Sequence, residues 1–158
     1  MKKLLSLMMV LCLLLGATAA LAEADKKELD IRALIWKYDD TYGSTVRAGM
    51  ENWVKEYEKE LGLKINFKMY DAADDMAKQI EQATILTSEK PDFVIINLAE
   101  VTNGQVLVDM FKQADIPFLF YNKQPSEDTV QSVLVDTGTI FIGTLARQAG
   151  DMQGEILA

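Results

Sequence analysis

Histidine is absent from this 158-residue sequence, cysteine occurs once and proline three times. The one cysteine, Cys12, lies in an N-terminal segment expected to be removed, so the mature chain has no residues for a zinc site of the Cys/His kind. It has no disulfide either, which robust single-core domains exported by bacteria tolerate. Basic residues are outnumbered, with 16 Lys and Arg against 24 Asp and Glu for a net charge of −8. Two of the lysines precede the expected cleavage point, so the mature chain is more acidic by two charges. That balance argues against nucleic acid and anionic membrane surfaces as partners. No internal repeat or low-complexity stretch interrupts the chain, and its length suits a single domain with a sizeable core.

What is present begins with a leader. Lys2 and Lys3 precede an apolar run over residues 4–15, and small residues follow, ending in Ala20-Leu21-Ala22 before Glu23. This is the order of a secretory signal peptide, expected over residues 1–22. The run is shorter than the roughly 20 apolar residues a helix needs to cross a bilayer. Lipid attachment at Cys12 is the weaker alternative, because Leu11 before it is bulky where processing wants a small residue. Residues 23–28 read as a polar lead-in and 29–158 as the folded lobe.

From there strand-like and helix-like segments alternate. A buried strand is expected over residues 29–36. A helix capped by Ser44 follows, with an apolar stripe of Val46, Met50, Trp53, Val54, Tyr57 and Leu61 and a stop at Gly62. Residues 63–69 alternate apolar with Lys64, Asn66 and Lys68, the period of a half-exposed edge strand. A second helix is expected over 74–88, with Met76, Ile80, Ala83 and Leu86 inward. Residues 93–96 form a short apolar run suited to a central parallel strand. Thr102 with Gln105 reads as a capping box, and Val101 with Val106 as its hydrophobic staple. Further strands are expected at 117–121 and near 133–135, then a helix over 144–157. Alternation of this kind implies an α/β fold, a doubly wound parallel sheet of order 2-1-3-4-5 with helices on both faces.

In that order, ligands bind where the connections from the first and third strands diverge, outside their carboxyl ends. The segments placed there are Trp36-Lys37-Tyr38-Asp39-Asp40-Thr41-Tyr42 and Ile96-Asn97-Leu98. Neither a dinucleotide fingerprint nor a phosphate loop is present, and the acidic residues would repel phosphate. A carboxylate such as Asp40 accepts from hydroxyls, Asn97 both donates and accepts, and the ring of Tyr42 can lie against the C–H face of a pyranose. Together they describe a site for a neutral polyhydroxyl ligand. Each also has a plainer reading. Asp39-Asp40 suits a solvated turn at a helix start, Tyr42 ordinary packing and Asn97 a strand-end turn.

Trp36-Lys37-Tyr38-Asp39-Asp40-Thr41-Tyr42-Gly43-Ser44 resembles the first-strand signature of the galactose/glucose-binding periplasmic proteins, of the type I periplasmic sugar-binding family. Ile96-Asn97-Leu98, Tyr121-Asn122-Lys123-Gln124-Pro125-Ser126, Ile142-Gly143-Thr144 and Gly150-Asp151-Met152-Gln153-Gly154 are similar to further segments of that family. Leu145 departs from it, standing where the family has Asp. The resemblance implies an N-terminal Rossmann-like lobe in which Asp40 and Asn97 bind sugar hydroxyls and Tyr42 stacks on one sugar face. It implies D-galactose or D-glucose as ligand, delivered to the membrane subunits of an ABC transporter and in some members presented to a chemoreceptor. It implies no catalytic residues and no cofactor in this chain, the family's calcium site lying in a second lobe beyond residue 158. A fragment of a longer protein is the expected reading, and a degenerate descendant the alternative. Two other classes compete. A glycosidase would use Asp39, Asp40 or Glu100, but adjacent carboxylates in one loop rarely stand the ~5 to 9.5 Å apart that the reaction needs. An extracellular sugar-sensing module of a receptor would reuse the same site.

Overall fold

The computed structural model describes residues 28–126, 128, 140–144 and 146–157. The described elements are, in chain order, β1 (Glu28–Ile35), α1 (Thr41–Leu61), β2 (Lys64–Asp71), α2 (Met76–Glu89), β3 (Phe93–Ile96), a 3-10 turn (Val101–Asn103), α3 (Gly104–Gln113), β4 (Phe118–Tyr121), β5 (Phe141–Ile142) and α4 (Ala146–Leu157). All five strands are parallel, in the order β2-β1-β3-β4-β5. This is the expected doubly wound sheet. β2 is its edge, with alternating exposure and with Lys64 paired to Glu28 at 2.8 Å. The leader and the expected strand near 133–135 fall outside the described residues; the strand beside β4 is Phe141–Ile142.

Strand alternation sends side chains to two faces. Leu34, Val94, Ile96, Phe118 and Phe120 meet Ala83 and Leu86 of α2 and Leu107, Val108 and Phe111 of α3, and none is more than 4% exposed. On the other face, among the described residues, the buried cluster is Ala33, Ile35 and Tyr121, with Val46 and Met50 of α1 packed against them. The helix stripe read from sequence does face the sheet, but Trp53 and Leu61 remain exposed.

The helix starts differ from expectation in instructive ways. α1 begins at Thr41, and its cap is Asp40 rather than Ser44. The Asp40 backbone is extended, its Oδ2 accepts from the Gly43 N–H at 2.5 Å, and its carbonyl accepts the first helical bond from Ser44 N at 2.8 Å. The Ser44 hydroxyl is left to donate back to the Thr41 carbonyl. Gly43 favours this cap, because a Cβ on it would sit 2.9 Å from the capping oxygen and push the Asp40 carboxylate aside.

In α2 the cap is Asp75, whose Oδ1 accepts from Ala77 N and Lys78 N. Met76 is exposed, and Gln79 takes the fully buried position instead. The capping box of α3 does not form. Glu100 opens a 3-10 turn closed by Asn103 N–H donating to its carbonyl, and the Gln105 amide donates to Asp109. Val101 and Val106 both face solvent, so no staple is made. α3 therefore starts at Gly104, packed so closely on Pro125 that a Cβ would approach it to 2.7 Å.

Candidate functional site

The register places Leu34 beside Ile96 and Ile96 beside Phe120, so the carboxyl ends of β1, β3 and β4 open side by side. β1 hands the chain to β2 on one flank while β3 continues toward β4 on the other. A crevice at that divergence is the consequence of the strand order alone.

Asp40 is half-buried on the β1 side. Its Oδ2 is committed to the helix cap, while Oδ1 takes no hydrogen bond among the described residues. The capping and the ligand-binding readings are therefore compatible, one oxygen serving each. Asp39 differs: its side chain is 83% exposed and faces Lys37 at 3.4 Å. Tyr42, in the first turn of α1, is 57% exposed. It lines a cavity of about 520 Å³ together with Met50, Ile95, Leu119, Tyr121 and Asn122.

Asn97 is 3% exposed, just past the end of β3. Its N–H donates to the Leu34 carbonyl at 2.8 Å, and its carbonyl accepts from Gln79 Nε2 at 2.9 Å. Its Oδ1 accepts from Asn122 Nδ2 at 3.4 Å, a long contact. Tyr42 and Asn97 thus meet through Tyr121 and Asn122. Asp40 joins them through the start of α1.

Four contributors had no signal, or a weak one, in the sequence. Gln79 is fully buried and bridges the loop after β3, accepting from Ala99 N at 2.8 Å while donating to Asn97. A polar residue within a helical stripe gives no hint of this. Tyr121 and Asn122 enter by strand register, and Asn122 adopts a left-handed φ of 66°, which asparagine tolerates better than most residues. The fourth is Lys123, whose Nζ lies 3.6 Å from the Trp36 ring centroid and donates to the Ala99 carbonyl at 3.0 Å. Burial holds the Lys123 ammonium below its ordinary value, against the opposing pull of Asp74, Glu100 and Asp40. The Trp36 indole N–H is bonded to the Asp74 carboxylate, so aromatic, cation and acid tie three loops at one rim.

The arrangement offers a carboxylate oxygen, a buried amide and tyrosine rings, the equipment for binding hydroxyls and sugar C–H faces. Among the described residues no three acidic side chains converge to hold a metal ion, and no helix is long and apolar enough to cross a membrane.

A family model for a periplasmic binding protein domain matches residues 33–158. The chain is 29% identical over 146 residues to the D-galactose/methyl-galactoside binding periplasmic protein MglB of Haemophilus influenzae, covering 91% of this chain and 40% of that protein. It is 29% identical over 134 residues to a putative rhizopine-binding protein of Rhizobium meliloti, covering 80% and 40%. Among solved structures, a carbohydrate transporter solute binding protein from Agrobacterium radiobacter in complex with D-arabinose superposes with a TM-score of 0.57 at 21% identity, over 79% of this chain and 38% of that one. An ABC transporter solute binding protein from Bacillus halodurans with bound myo-inositol gives 0.52 at 27% identity, over 68% and 34%. The chain spans about two fifths of the length of the curated relatives it matches.

Proposed function

We propose, from the premise that this chain belongs to the periplasmic binding protein domain family, that it binds a monosaccharide or a related cyclic polyol without turning it over. In this reading it is one lobe of the substrate-binding component of an ABC-type sugar uptake system, exported after cleavage at Ala22. D-galactose or D-glucose is the ligand, the membrane subunits of the transporter are the partner, and a chemoreceptor is a second one. The observation that carries the reading is a cavity beside the carboxyl ends of the strands lined by Tyr42, Tyr121 and Asn122, with Asn97 bonded to Asn122 and Asp40 capping the helix that carries Tyr42. A relative named for D-galactose and methyl-galactoside, and solved relatives holding D-arabinose and myo-inositol, support a ligand of this class.

Three contacts bind weakly. A net hydrogen bond contributes about 0.5–1.5 kcal/mol, or ~1.5–3 kcal/mol when charged, and association costs at least ~4 kcal/mol, so this chain alone should bind at millimolar affinity or not at all. Saturation-transfer NMR with galactose, glucose, arabinose and myo-inositol tests it. Transfer to galactose or glucose that Asp40→Ala or Asn97→Ala abolishes is the expected result. Transfer that survives both substitutions removes the site. N-terminal sequencing of the exported product should begin at Glu23, and a product retaining Met1 would contradict the export step.

A further inference from the structure

Tyr121 ends β4 with 7% of its surface exposed, and its phenol oxygen is sealed from solvent without a completed hydrogen bond among the described residues. Burial pushes the phenol up to about 12. The Asn97 side chain lies within reach from the neighbouring strand end, Ile96 pairing with Phe120, and Tyr42, Arg47 and Tyr38 are the titratable groups whose charge is felt there. Of these, Tyr42 lines the cavity with Tyr121. The ring packs with Ala33 and Ile35, and phenylalanine would fill the same space. A hydroxyl buried with no full partner is a cost that phenylalanine avoids. Its placement beside a candidate ligand-binding amide points to the use that offsets this cost.

The backbone of Asn97 is fixed from both sides, by the Leu34 carbonyl and by Gln79. Only its side-chain torsions remain free. The amide has one acceptor oxygen with two lone pairs and one NH₂ with two donors, and it must present one end to the crevice. Asn122 Nδ2 already approaches Oδ1 at 3.4 Å, which occupies one lone pair loosely and leaves the second.

We infer that Tyr121 is a positioning residue for this site: its hydroxyl donates to Oδ1 of Asn97 and, with Asn122, turns the amide so that Nδ2 faces the ligand. The inference rests on the carbohydrate-binding reading and sharpens it. Asn97 then acts as a donor, selecting a ligand with an oxygen lone pair at that point, whether a hydroxyl or a ring oxygen, and disfavouring an ammonium or amide N–H there.

The test compares the full chain with its Tyr121→Phe variant in three measurements. The 13Cγ shift of Asn97 reports hydrogen bonding to Oδ1, thermal denaturation reports the fold, and titration with D-galactose reports affinity. The expected result is a moved Asn97 13Cγ shift, an unchanged or higher melting temperature, and affinity weakened about tenfold, the worth of one hydrogen bond. An unmoved 13Cγ shift overturns the inference, as does full affinity in the variant. A melting temperature lower by several degrees overturns it too, since the hydroxyl would then be holding the fold. If the unsubstituted chain binds none of the sugars, the functional reading falls. The 13Cγ shift then still decides whether Tyr121 orients the amide.

Discussion

The two faces of the sheet are built from similar strands and end up in different states. On the face that carries α2 and α3, twelve described residues, five of them from those helices, close into a layer with none more than 4% exposed. On the α1 face only three of the described residues are buried, while Ile95 and Leu119 stay half-buried and line an open cavity. Trp53 and Ile142 on that side are 58% and 55% exposed. A second apolar hollow of about 200 Å³ runs along α1 past Leu29, Ile31 and Phe67. Both faces carry apolar side chains, but they are not equally covered. Two helices shield β1, β3 and β4 on one face, and on the other α1 lies over the β1–β2 side alone. α4, which follows β5, presents Met152, Ile156 and Leu157 to solvent. An amphipathic stripe is therefore a request for a partner, and burial energy appears only where a partner is supplied.

The comparison predicts its widest gap in paired core truncations. Phe111→Ala on the closed face should destabilise the chain by about 3–5 kcal/mol in urea denaturation. Trp53→Ala on the open face should cost under about 1 kcal/mol, and similar losses from both would mean that the faces do not differ.

Gln79 carries the closed face up to the crevice. Gln79→Leu keeps volume but strands the Asn97 carbonyl and the Ala99 N–H. A loss of about 2–3 kcal/mol is expected, with ligand affinity falling alongside. A variant as stable as the parent would show that water replaces both bonds.

Tyr121 tests the open face through pH. Its phenol is raised from 10.0 to about 12 in the folded chain. Above pH 10 the unfolded chain loses that proton first, so stability present below pH 10 is lost as pH rises toward 12. The contribution is about 2–3 kcal/mol at most. Alkaline melts of Tyr121→Phe should therefore decline less over that window. Parallel declines would place the phenol in solvent.

The smallest effects belong to the acidic pair. Asp40→Ala removes a helix cap and should cost about 1 kcal/mol, whereas Asp39→Ala should fall within about 0.5 kcal/mol. Circular dichroism melts measure both. Equal losses would mean that the cap at Gly43 contributes nothing.

Much of the fold was legible because its signals are local. The alternation at Lys64, Asn66 and Lys68 marked β2 as an edge, and the unbroken run at 93–96 marked β3 as central; both are found so. Helix starts were read less well, because several polar residues compete for each cap. Ser44 has the right chemistry, but Gly43 gives the Asp40 carboxylate room to bond its N–H, and the helix starts four residues earlier. The Thr102–Gln105 pair failed for the converse reason, since a 3-10 turn held Thr102 out of the cap position.

Periodicity, turn chemistry and charge are properties of neighbours in sequence, and they determined the strand order, the position of the crevice and the acidic, aromatic and amide character of its rim. Whether a side chain is covered depends on residues far away in the chain, which no local pattern encodes. Only the tertiary structure decided that Gln79 is buried as a bridge rather than solvated, that the stripe of α1 stays half open, and that the Tyr121 hydroxyl is shut in beside Asn97 without a completed bond. Burial and hydrogen-bond satisfaction are settled by packing between elements, after the elements themselves exist.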